Sequence, residues 1–361
     1  MPISSKRIWS ADPSCPEERG GWRTGRPYAA CRIPGIVRSA RGTLLLYCEA
    51  RDTLSDWARI DLLLFRSEDG GETFSDPVVL ASGDDRHPTV NNPVLIAAGS
   101  GELFLLFCRD YSVDGGDVFL RRSRDDGKTW SDPVDLMDRT RPELHNAFAF
   151  GPGHGIETAD GTLLSPVWFV PKSAGSELRS HHPAAVSSFR SEDGGESWSL
   201  GEILPASEGC PDPNETAAAR TSDGGVYFNV RLTGAGVRGA SWSKDGQSGF
   251  SPLVPVPEMP DPTCMGSAAN AEWRGVPLIL AVNCDSTSER KNLTLRASSD
   301  DGKTWPRSLV IDPGDAGYSD LCVIPGEDPT VSVLYETRWG TELWFAKIPL
   351  GELWSKNAER L

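Results

Sequence analysis

Six short motifs of this 361-residue chain carry side chains that can do chemistry. In chain order they are Arg-Ile-Pro at 32–34, Asn-Glu at 214–215, Phe-Asn-Val-Arg ending at Arg231, Arg290, Gly-Tyr-Ser-Asp-Leu at 317–321 and Leu-Tyr-Glu ending at Glu336. Arginine is a planar, permanently charged fork that meets a carboxylate with two hydrogen bonds. A tyrosine hydroxyl titrates near pH 10, so it becomes reactive only beside a base or a cation. Residues of these types could bind an anionic ligand only if the fold brought them together, because the motifs lie far apart in the sequence.

A repeated eight-residue box organises the chain. SEDGGETF at 67–74 recurs as SRDDGKTW at 123–130, SEDGGESW at 191–198 and SSDDGKTW at 298–305, with a worn copy, SKDGQSGF, from Ser243. Each copy follows a short apolar, alternating run and precedes a second extended stretch, which predicts a hairpin turn. In such a turn Asp accepts backbone N–H bonds, Gly supplies a positive φ, and the terminal Trp or Phe packs under the sheet. The boxes are therefore predicted to be structural and to carry no chemistry.

The spacing of the boxes predicts the fold class. Intervals of about 50 to 70 residues leave room for one four-stranded antiparallel sheet each, and the whole chain for about six. We therefore expect an all-β, six-bladed β-propeller with Asp-box turns. A single domain should span 1–361, with about the first 25 and the last 10 residues at its periphery. The N-terminal portion and the tail GELWSKNAERL are the two candidates for closing the ring.

Composition excludes several classes of function. The formal charge of −15 argues against binding nucleic acid or an anionic membrane by bulk attraction, so local arginines would have to capture any anion. No stretch approaches the roughly 20 apolar residues of a membrane span, and MPISSKRIWS lacks the apolar core of a secretory signal. The sequence as given indicates a cytoplasmic protein. Secretion remains an alternative, because a chain whose secretory signal had been removed would have the same sequence. It indicates no oligomeric state.

The cysteine pattern argues against a structural metal. The eight cysteines are scattered singly, with no CxxC pair and no Cys/His cluster of zinc spacing, so most are predicted to be buried thiols. They are Cys15, Cys31, Cys48, Cys108, Cys210, Cys264, Cys284 and Cys322. We expect neither a metal nor another cofactor.

The ordered set of motifs resembles the exo-α-sialidases (neuraminidases) of bacterial and animal type, retaining glycoside hydrolases with Asp-box (BNR) repeats. GPGHGI at 151–156 follows the same order, and the resemblance spans about residues 28 to 345. One Asp-box alone is weak support, because unrelated propellers contain it, but the ordered set is specific. The resemblance implies removal of a terminal sialic-acid-like nonulosonic acid from a sialylated glycan, glycoprotein or glycolipid.

The resemblance assigns three arginines to the substrate. A sialic acid carries a carboxylate on its anomeric carbon, so the substrate is an anion at the reaction centre. By resemblance, Arg32, Arg231 and Arg290 bind that carboxylate. Lys291 is a competing cation for the third position, but an ammonium is a point charge without the bidentate fork.

The resemblance also implies the reacting groups. An Asp or Glu nucleophile would be repelled by the substrate carboxylate, and sialidases use a neutral tyrosine instead. Tyr318 matches that tyrosine, which forms a covalent tyrosyl-glycosyl intermediate, and Glu215 matches the base that takes its proton. Asp56, on a polar loop about 25 residues after Arg32, matches the general acid. Asp52 and Asp61 are alternative acids, with Asp61 at the opening of a strand.

Supporting roles follow from the same comparison. Glu336 resembles the acid that pairs with Arg32 and holds it in place. Arg51 resembles the arginine that contacts the O4 hydroxyl of the substrate. Its usual aspartate partner is replaced by Asn92, which removes a charge and leaves the recognition of O4 open.

The pocket for the C5 substituent, which distinguishes N-acetylneuraminic acid from the deaminated sugar Kdn, is the least readable part. Trp57, Phe148, Phe150 and Trp168 are aromatic candidates for it, and a core role for each remains an alternative. His154, in GPGHGI, is expected to shape a loop.

Two alternatives to a sialidase remain open. The same residues would serve a Kdn or Kdo-type ulosonic acid hydrolase or a trans-sialidase. A non-catalytic, glycan-binding propeller is the second alternative, against which nucleophile, base, acid and three arginines are all present in order.

Overall fold

The computed structural model of the chain describes residues 3–11, 27–112, 115–172 and 181–355. Regular structure within them is dominated by β-strands, with short 3-10 turns at Met137–Thr140, Arg338–Gly340 and Leu350–Trp354. In chain order the strands are β1 (Ser4–Ser10), β2 (Ala30–Arg38), β3 (Leu44–Arg51), β4 (Ile60–Ser67), β5 (Val78–Ser82), β6 (Val90–Ala97), β7 (Leu103–Ser112), β8 (Gly115–Ser123), β9 (Val134–Asp135), β10 (His145–Phe150), β11 (Gly153–His154), β12 (Ile156–Glu157), β13 (Leu163–Pro171), β14 (Ala185–Ser191), β15 (Ser199–Leu200), β16 (Pro213–Arg220), β17 (Val226–Leu232), β18 (Val237–Ser243), β19 (Val254–Pro260), β20 (Ser267–Trp273), β21 (Val276–Cys284), β22 (Lys291–Ser298), β23 (Arg307–Asp315), β24 (Ser319–Ile324), β25 (Thr330–Thr337) and β26 (Glu342–Pro349).

The strands form six antiparallel blades around a ring. Their strand orders are β2-β3-β4-β5, β6-β7-β8-β9, β10-β13-β14-β15, β16-β17-β18-β19, β20-β21-β22-β23 and β24-β25-β26-β1. The first strands of neighbouring blades contact one another: β2 contacts both β6 and β24. The prediction of a six-bladed β-propeller is confirmed. Two blades exceed four strands, because β11 adds in parallel to β6 and β12 pairs with β13.

The sixth blade joins both ends of the described chain. β1 pairs antiparallel with β26, from Ser4 opposite Lys347 to Ser10 opposite Glu342. Of the two candidates for closing the ring, the N-terminal portion therefore supplies the strand. The tail forms a 3-10 turn as far as Trp354, and its residues 356–361 lie outside the described part of the chain.

Each Asp-box links the third strand of a blade to the fourth. In the first box the Ser67 hydroxyl accepts the Gly71 N–H at 2.8 Å, and the Asp69 carboxylate accepts the Thr73 N–H at 2.9 Å. The same two bonds recur in the boxes that begin at Ser123, Ser191 and Ser298. The box tryptophans at 198 and 305 are buried. The boxes are structural turns, as predicted.

Two adjacent glycines of the third box provide a matched test of this packing. Gly194 and Gly195 both have positive φ, 69° and 86°. A Cβ on Gly195 would lie 2.4 Å from Phe104, whereas a Cβ on Gly194 would meet nothing within 4 Å. We expect Gly194→Ala to lower the free energy of unfolding by about 1 kcal/mol, the cost of the left-handed backbone alone. Gly195→Ala should lower it by about 2–4 kcal/mol, because overpacking adds to that cost. Urea unfolding measures both, and equal losses would contradict the packing role of Gly195.

The seven described cysteines are buried free thiols, as predicted, and Cys15 lies outside the described residues. Among the side chains that the structure describes, no group of three or more His, Cys, Asp or Glu could hold a metal ion. Within the same ranges, no helix is long and apolar enough to cross a membrane.

Candidate active site

The residues predicted for the site meet at one end of the propeller. In an antiparallel blade, the start of the first strand, the end of the second and the start of the third share one edge. First strands begin near Arg32, Asn92, Glu215 and Tyr318, second strands end near Arg51, Arg231 and Glu336, and Arg290 precedes the third strand β22. Strand alternation and ring closure therefore gather residues that the sequence separates.

Bulges aim the first strands into the site. The register between β2 and β3 shifts between Arg32 and Gly35, where Ile33 has a φ of 55°. A similar shift interrupts β6 at Asn92, whose φ is 49°. Positive φ is a strained conformation for a β-branched residue such as isoleucine. Bulges of this kind redirect side chains next to functional sites.

Arg32 is held by a buried carboxylate. Its Nη2 donates to Glu336 Oε1 at 2.8 Å, its Nε lies 3.2 Å from Oε2, and the Ile33 N–H donates to the same Oε2 at 3.3 Å. Burial opposes the charge on Arg32, but Glu336 outweighs it and the pKa of Arg32 stays above its ordinary value. The guanidinium is therefore a fixed cation, and the predicted pairing with Glu336 is present in the structure.

Tyr318 donates its hydroxyl proton towards Glu215. The phenolic oxygen lies 2.6 Å from Glu215 Oε1. Arg231 Nη1 donates to the phenolic oxygen of Tyr318 at 2.7 Å. Arg231 also pairs with Glu215 Oε2. Burial raises the pKa of Tyr318 above its usual range, despite the nearby Arg231. The site thus holds a neutral phenol with a carboxylate positioned to accept its proton.

Arg290 completes a ring of three guanidinium groups around this tyrosine. The guanidinium carbons of Arg32 and Arg290 lie 5.3 Å and 5.2 Å from the centre of the Tyr318 ring. The same guanidinium carbon of Arg290 lies 4.8 Å from the centre of the Trp339 ring. Among the described residues Arg290 has no ion-pair partner. Its competitor Lys291 pairs instead with Glu289 at the surface.

Asp56 lies at the mouth of the site, with 45% of its side chain exposed. Its Oδ1 is 2.5 Å from Arg51 Nη1 and 3.8 Å from Arg32 Nη1. Partial burial raises the pKa of this carboxyl, but Arg51 and Arg32 outweigh burial and hold the pKa below its ordinary value. Asp56 therefore stands where the sequence predicted an acid, next to two cations that favour its ionised form.

The two alternative acids lie elsewhere. Asp61 is buried in β4 and accepts the Tyr28 hydroxyl at 2.6 Å. Asp52 is exposed, and its N–H donates to the Arg59 carbonyl. Asp56 alone of the three approaches Arg32.

Glu49 is a site residue that sequence reasoning missed. This buried carboxylate accepts from Arg51 Nε at 2.9 Å and from the Asn92 N–H at 2.7 Å. The Asn92 side chain turns away and donates to the Phe150 carbonyl at 3.2 Å. Glu49, two residues before Arg51 and hence on the same face of β3, supplies the charge that Asn92 lacks. The two-residue spacing of Glu49 and Arg51 in the sequence could have indicated that the two side chains pair.

The aromatic candidates for the C5 pocket separate into two groups. Phe148, Phe150 and Trp168 are buried in the blade core, which favours the core alternative for these three residues. The sequence did not reveal that both faces of β10 are covered. Trp57 is only partly buried, and its ring centre lies 5.9 Å from that of His181, which also contacts Trp168 at 5.6 Å. Sequence reasoning did not single out His181.

His154 links β11 to β24, the strand that follows Tyr318. Its Nδ1 pairs with Asp320 Oδ1 at 2.8 Å, while the other Asp320 oxygen accepts the Ile36 N–H at 2.9 Å. Burial opposes protonation of His154, but Asp320 outweighs it and raises the pKa of the imidazole. This contact ties the GPGHGI segment to the strand that follows Tyr318, consistent with the loop-shaping role predicted for His154.

The chain is similar to a known repeat family and to several sialidases. A family model described as "BNR repeat-like domain" matches residues 76–333. A sialidase of Bacteroides fragilis is 28% identical over 86% of this chain and 60% of its own length. A sialidase of Micromonospora viridifaciens is 30% identical over 89% of this chain and 52% of its own length. The chain thus spans little more than half the length of these curated relatives.

Solved structures show the same architecture. The Hadza microbial sialidase Hz136 superposes with a TM-score of 0.79 at 26% identity, over 90% of this chain and 66% of that one. The intramolecular trans-sialidase from Ruminococcus gnavus superposes with a TM-score of 0.77 at 19% identity, over 97% and 98% of the two chains. Similarity at the lower identity supports the fold alone.

Proposed function

Because the chain belongs to the BNR repeat-like family, whose relatives described above include sialidases, we propose that it is an exo-α-sialidase. It releases a terminal sialic-acid-like nonulosonic acid from a glycan, glycoprotein or glycolipid. The observation that carries this proposal is the cluster in which Tyr318 bonds to Glu215 while three guanidinium groups surround the tyrosine.

The charges of the cluster suit an anionic sugar. Arg32 forms an ion pair with Glu336, and Arg231 forms one with Glu215. Arg290 has no ion pair among the described residues. A substrate carboxylate would supply the missing negative charge, in a protein whose formal charge of −15 otherwise repels anions. These local cations define the acceptable substrate as a sugar acid.

The chemistry proceeds in two displacements. Tyr318 attacks the anomeric carbon as Glu215 takes its phenolic proton, and Asp56 protonates the departing oxygen. Water, which gives a proton to Asp56, then attacks the anomeric carbon of the tyrosyl-glycosyl intermediate. The bond to Tyr318 breaks, and its oxygen recovers the proton from Glu215. Two inversions give net retention at the anomeric carbon.

The proposal is tested with umbelliferyl ketosides of N-acetylneuraminic acid, Kdn and Kdo. Cleavage of the first, with retention seen by proton NMR, is the expected result. Cleavage of Kdn or Kdo alone would replace the substrate and keep the mechanism, and transfer to an acceptor would identify a trans-sialidase. Binding of the dehydrated sialic acid analogue without turnover of any ketoside would identify a non-catalytic propeller.

Replacing Arg290 with lysine tests the capture of the carboxylate. The lysine keeps a positive charge but loses the bidentate fork and the planar stack on Trp339. We expect kcat/KM to fall by about 10- to 1,000-fold, mostly through KM. Lys291→Ala is the matched control, because that side chain pairs with Glu289 at the surface, and it should retain activity within about twofold. An unchanged kcat/KM in Arg290→Lys would remove this arginine from the site.

A further inference from the structure

The general acid of the proposed reaction is bonded to an arginine that also holds a second, buried carboxylate. Arg51 Nη1 donates to Asp56 Oδ1 at 2.5 Å, whereas its Nε and Nη2 donate to Glu49 Oε2 at 2.9 Å and 2.5 Å. Different nitrogens of one planar guanidinium thus contact two carboxylates. Arg51 links Glu49, which the proposed chemistry does not use, to Asp56, which carries the proton.

Glu49 and Arg51 form the buried half of this chain of contacts. Both lie on β3, two residues apart and therefore on the same face of the strand. Glu49 has no exposed surface and Arg51 is 2% exposed, whereas 45% of the Asp56 side chain is exposed. The second Glu49 oxygen accepts the Asn92 N–H at 2.7 Å. Three donors therefore stabilise the carboxylate form of Glu49, which can act on the reaction only through Arg51.

The charge of Arg51 opposes protonation of Asp56. Transfer of a proton to a leaving oxygen requires the neutral carboxyl. Burial raises the pKa of Asp56, but Arg51 and Arg32 outweigh burial and hold the pKa below its ordinary value. The charged and titratable groups that face Asp56 are Arg51 at the end of β3, Arg32 in β2 and His181, which precedes β14. An arginine without a counter-charge would leave this acid ionised.

Two acidic residues offset the two arginines. Glu49 pairs with Arg51, and Glu336 pairs with Arg32, so each pair is close to neutral as a whole. Burial raises the pKa of Glu49 and the charge of Asp56 adds to this effect, while Arg51 opposes it. The repulsion between the two carboxylates is mutual, so Glu49 favours the protonated form of Asp56. A substrate carboxylate bound to Arg32 would add a further negative charge and act in the same direction.

We propose that Glu49 is a positioning residue for the general acid, which orients Arg51 towards Asp56 and offsets its charge so that Asp56 keeps a proton in the substrate complex. This inference rests on the proposed sialidase function. In the first displacement the proton passes from Asp56 to the departing oxygen. In the second displacement Asp56 regains a proton from the attacking water, so Glu49 neither gains nor loses a proton in the cycle.

The test is the pH dependence of kcat for sialyllactose, or for the corresponding lactoside if the chain cleaves Kdn instead. The alkaline limb, where kcat falls at high pH, reports the proton on the acid in the substrate complex. Glu49→Gln preserves the shape of the side chain but removes the charge that offsets Arg51. We expect the alkaline limb to move to lower pH by about 0.5 to 1.5 units, because Arg51 then favours the ionised form of Asp56. At a pH above the limb, kcat should fall by about 3- to 30-fold.

Glu49→Asp separates charge from shape. Aspartate keeps the negative charge but is one methylene shorter, so a purely structural role predicts more damage from Glu49→Asp than from Glu49→Gln. We expect its alkaline limb to stay within about 0.3 units of the wild-type position, even if kcat is lower throughout. If Glu49→Gln does not fold, Glu49→Asp alone tests the role, and displacement of its limb to lower pH by about one unit would contradict it.

Glu342→Gln is the matched control. Glu342 is a buried carboxylate of the sixth blade that pairs with Arg7 at 3.1 Å, so its replacement should leave the limb unchanged. An unchanged limb in Glu49→Gln, or equal displacement in Glu49→Gln and Glu49→Asp, would overturn the role of Glu49 and leave the proposed function intact. Absence of any turnover by the wild-type chain, on the lactosides and the umbelliferyl ketosides alike, would instead overturn the proposed function and this inference with it.

Leaving-group dependence gives a second readout. An alkoxide leaving from a lactoside needs a proton from Asp56, whereas umbelliferone, a far weaker base, departs with little help. At a pH above the limb, we expect Glu49→Gln to lower kcat for the lactoside at least about threefold more than for the umbelliferyl ketoside. Equal losses on both substrates would show that Glu49 serves only packing.

Discussion

Tyr318→Phe should lower hydrolysis by at least about 1,000-fold, a loss of about 4 kcal/mol of transition-state stabilisation. The substitution deletes one oxygen, the proposed nucleophile. Its ring stays between Arg32 and Arg290, and Arg231 keeps its ion pair with Glu215, so the binding surface for a carboxylate remains. Turnover of the umbelliferyl ketoside should therefore collapse, while affinity for the dehydrated analogue changes by no more than about threefold.

Tyr335→Phe is the matched control for this loss. Tyr335 is a buried tyrosine of β25, opposite Ser319 in the adjacent strand, and its hydroxyl bonds to Asp312 at 3.1 Å, outside the cluster. Removing that bond should cost about 1 kcal/mol of stability and little activity. A fluorinated sialic acid should label Tyr318 covalently in the wild-type chain. Wild-type turnover by Tyr318→Phe would exclude a tyrosyl intermediate.

The fold could be predicted from the sequence because the turns that separate its strands are specified by local motifs. Each Asp-box specifies its own turn through bonds spanning four residues, such as Asp69 to Thr73, so box spacing measures blade size directly. The small strands β11 and β12 were not predictable. They depend on where GPGHGI lies against β6 and β13, a long-range contact with no local signature.

The site was readable only in part, for physical reasons that differ between residues. The arginines and Tyr318 belong to short motifs that occur in a fixed order along the chain. The closed ring of blades brings these motifs together at one end of the propeller. Glu49 and His181 belong to no such motif. Glu49 accepts the N–H of Asn92, 43 residues away, and His181 contacts Trp57, which is also distant in sequence. Trp339, 63% exposed with a φ of 59°, stacks on Arg290 through a 3-10 turn that strand alternation does not predict.

A second large effect is expected from Glu215→Gln. Glutamine preserves the size of the side chain and can still accept a hydrogen bond, but it cannot take the phenolic proton and no longer neutralises Arg231. We expect kcat to fall by about 100- to 10,000-fold. Melting temperature and affinity for the analogue serve as controls, since an uncharged partner leaves Arg231 free for the substrate carboxylate and should preserve or strengthen binding.

The double variant Glu215→Gln/Tyr318→Phe decides whether the two residues act as one unit. If Glu215 works only by accepting the Tyr318 proton, its carboxylate has nothing left to do once the hydroxyl is gone. The double variant should then be no slower than Tyr318→Phe alone, a grossly non-additive result typical of residues that share one chemical step. Multiplication of the two single losses would instead show that Glu215 acts independently, through its charge on Arg231 and the bound sugar. Single-turnover kinetics on the umbelliferyl ketoside distinguish these outcomes, because they isolate formation of the glycosyl-enzyme from later steps.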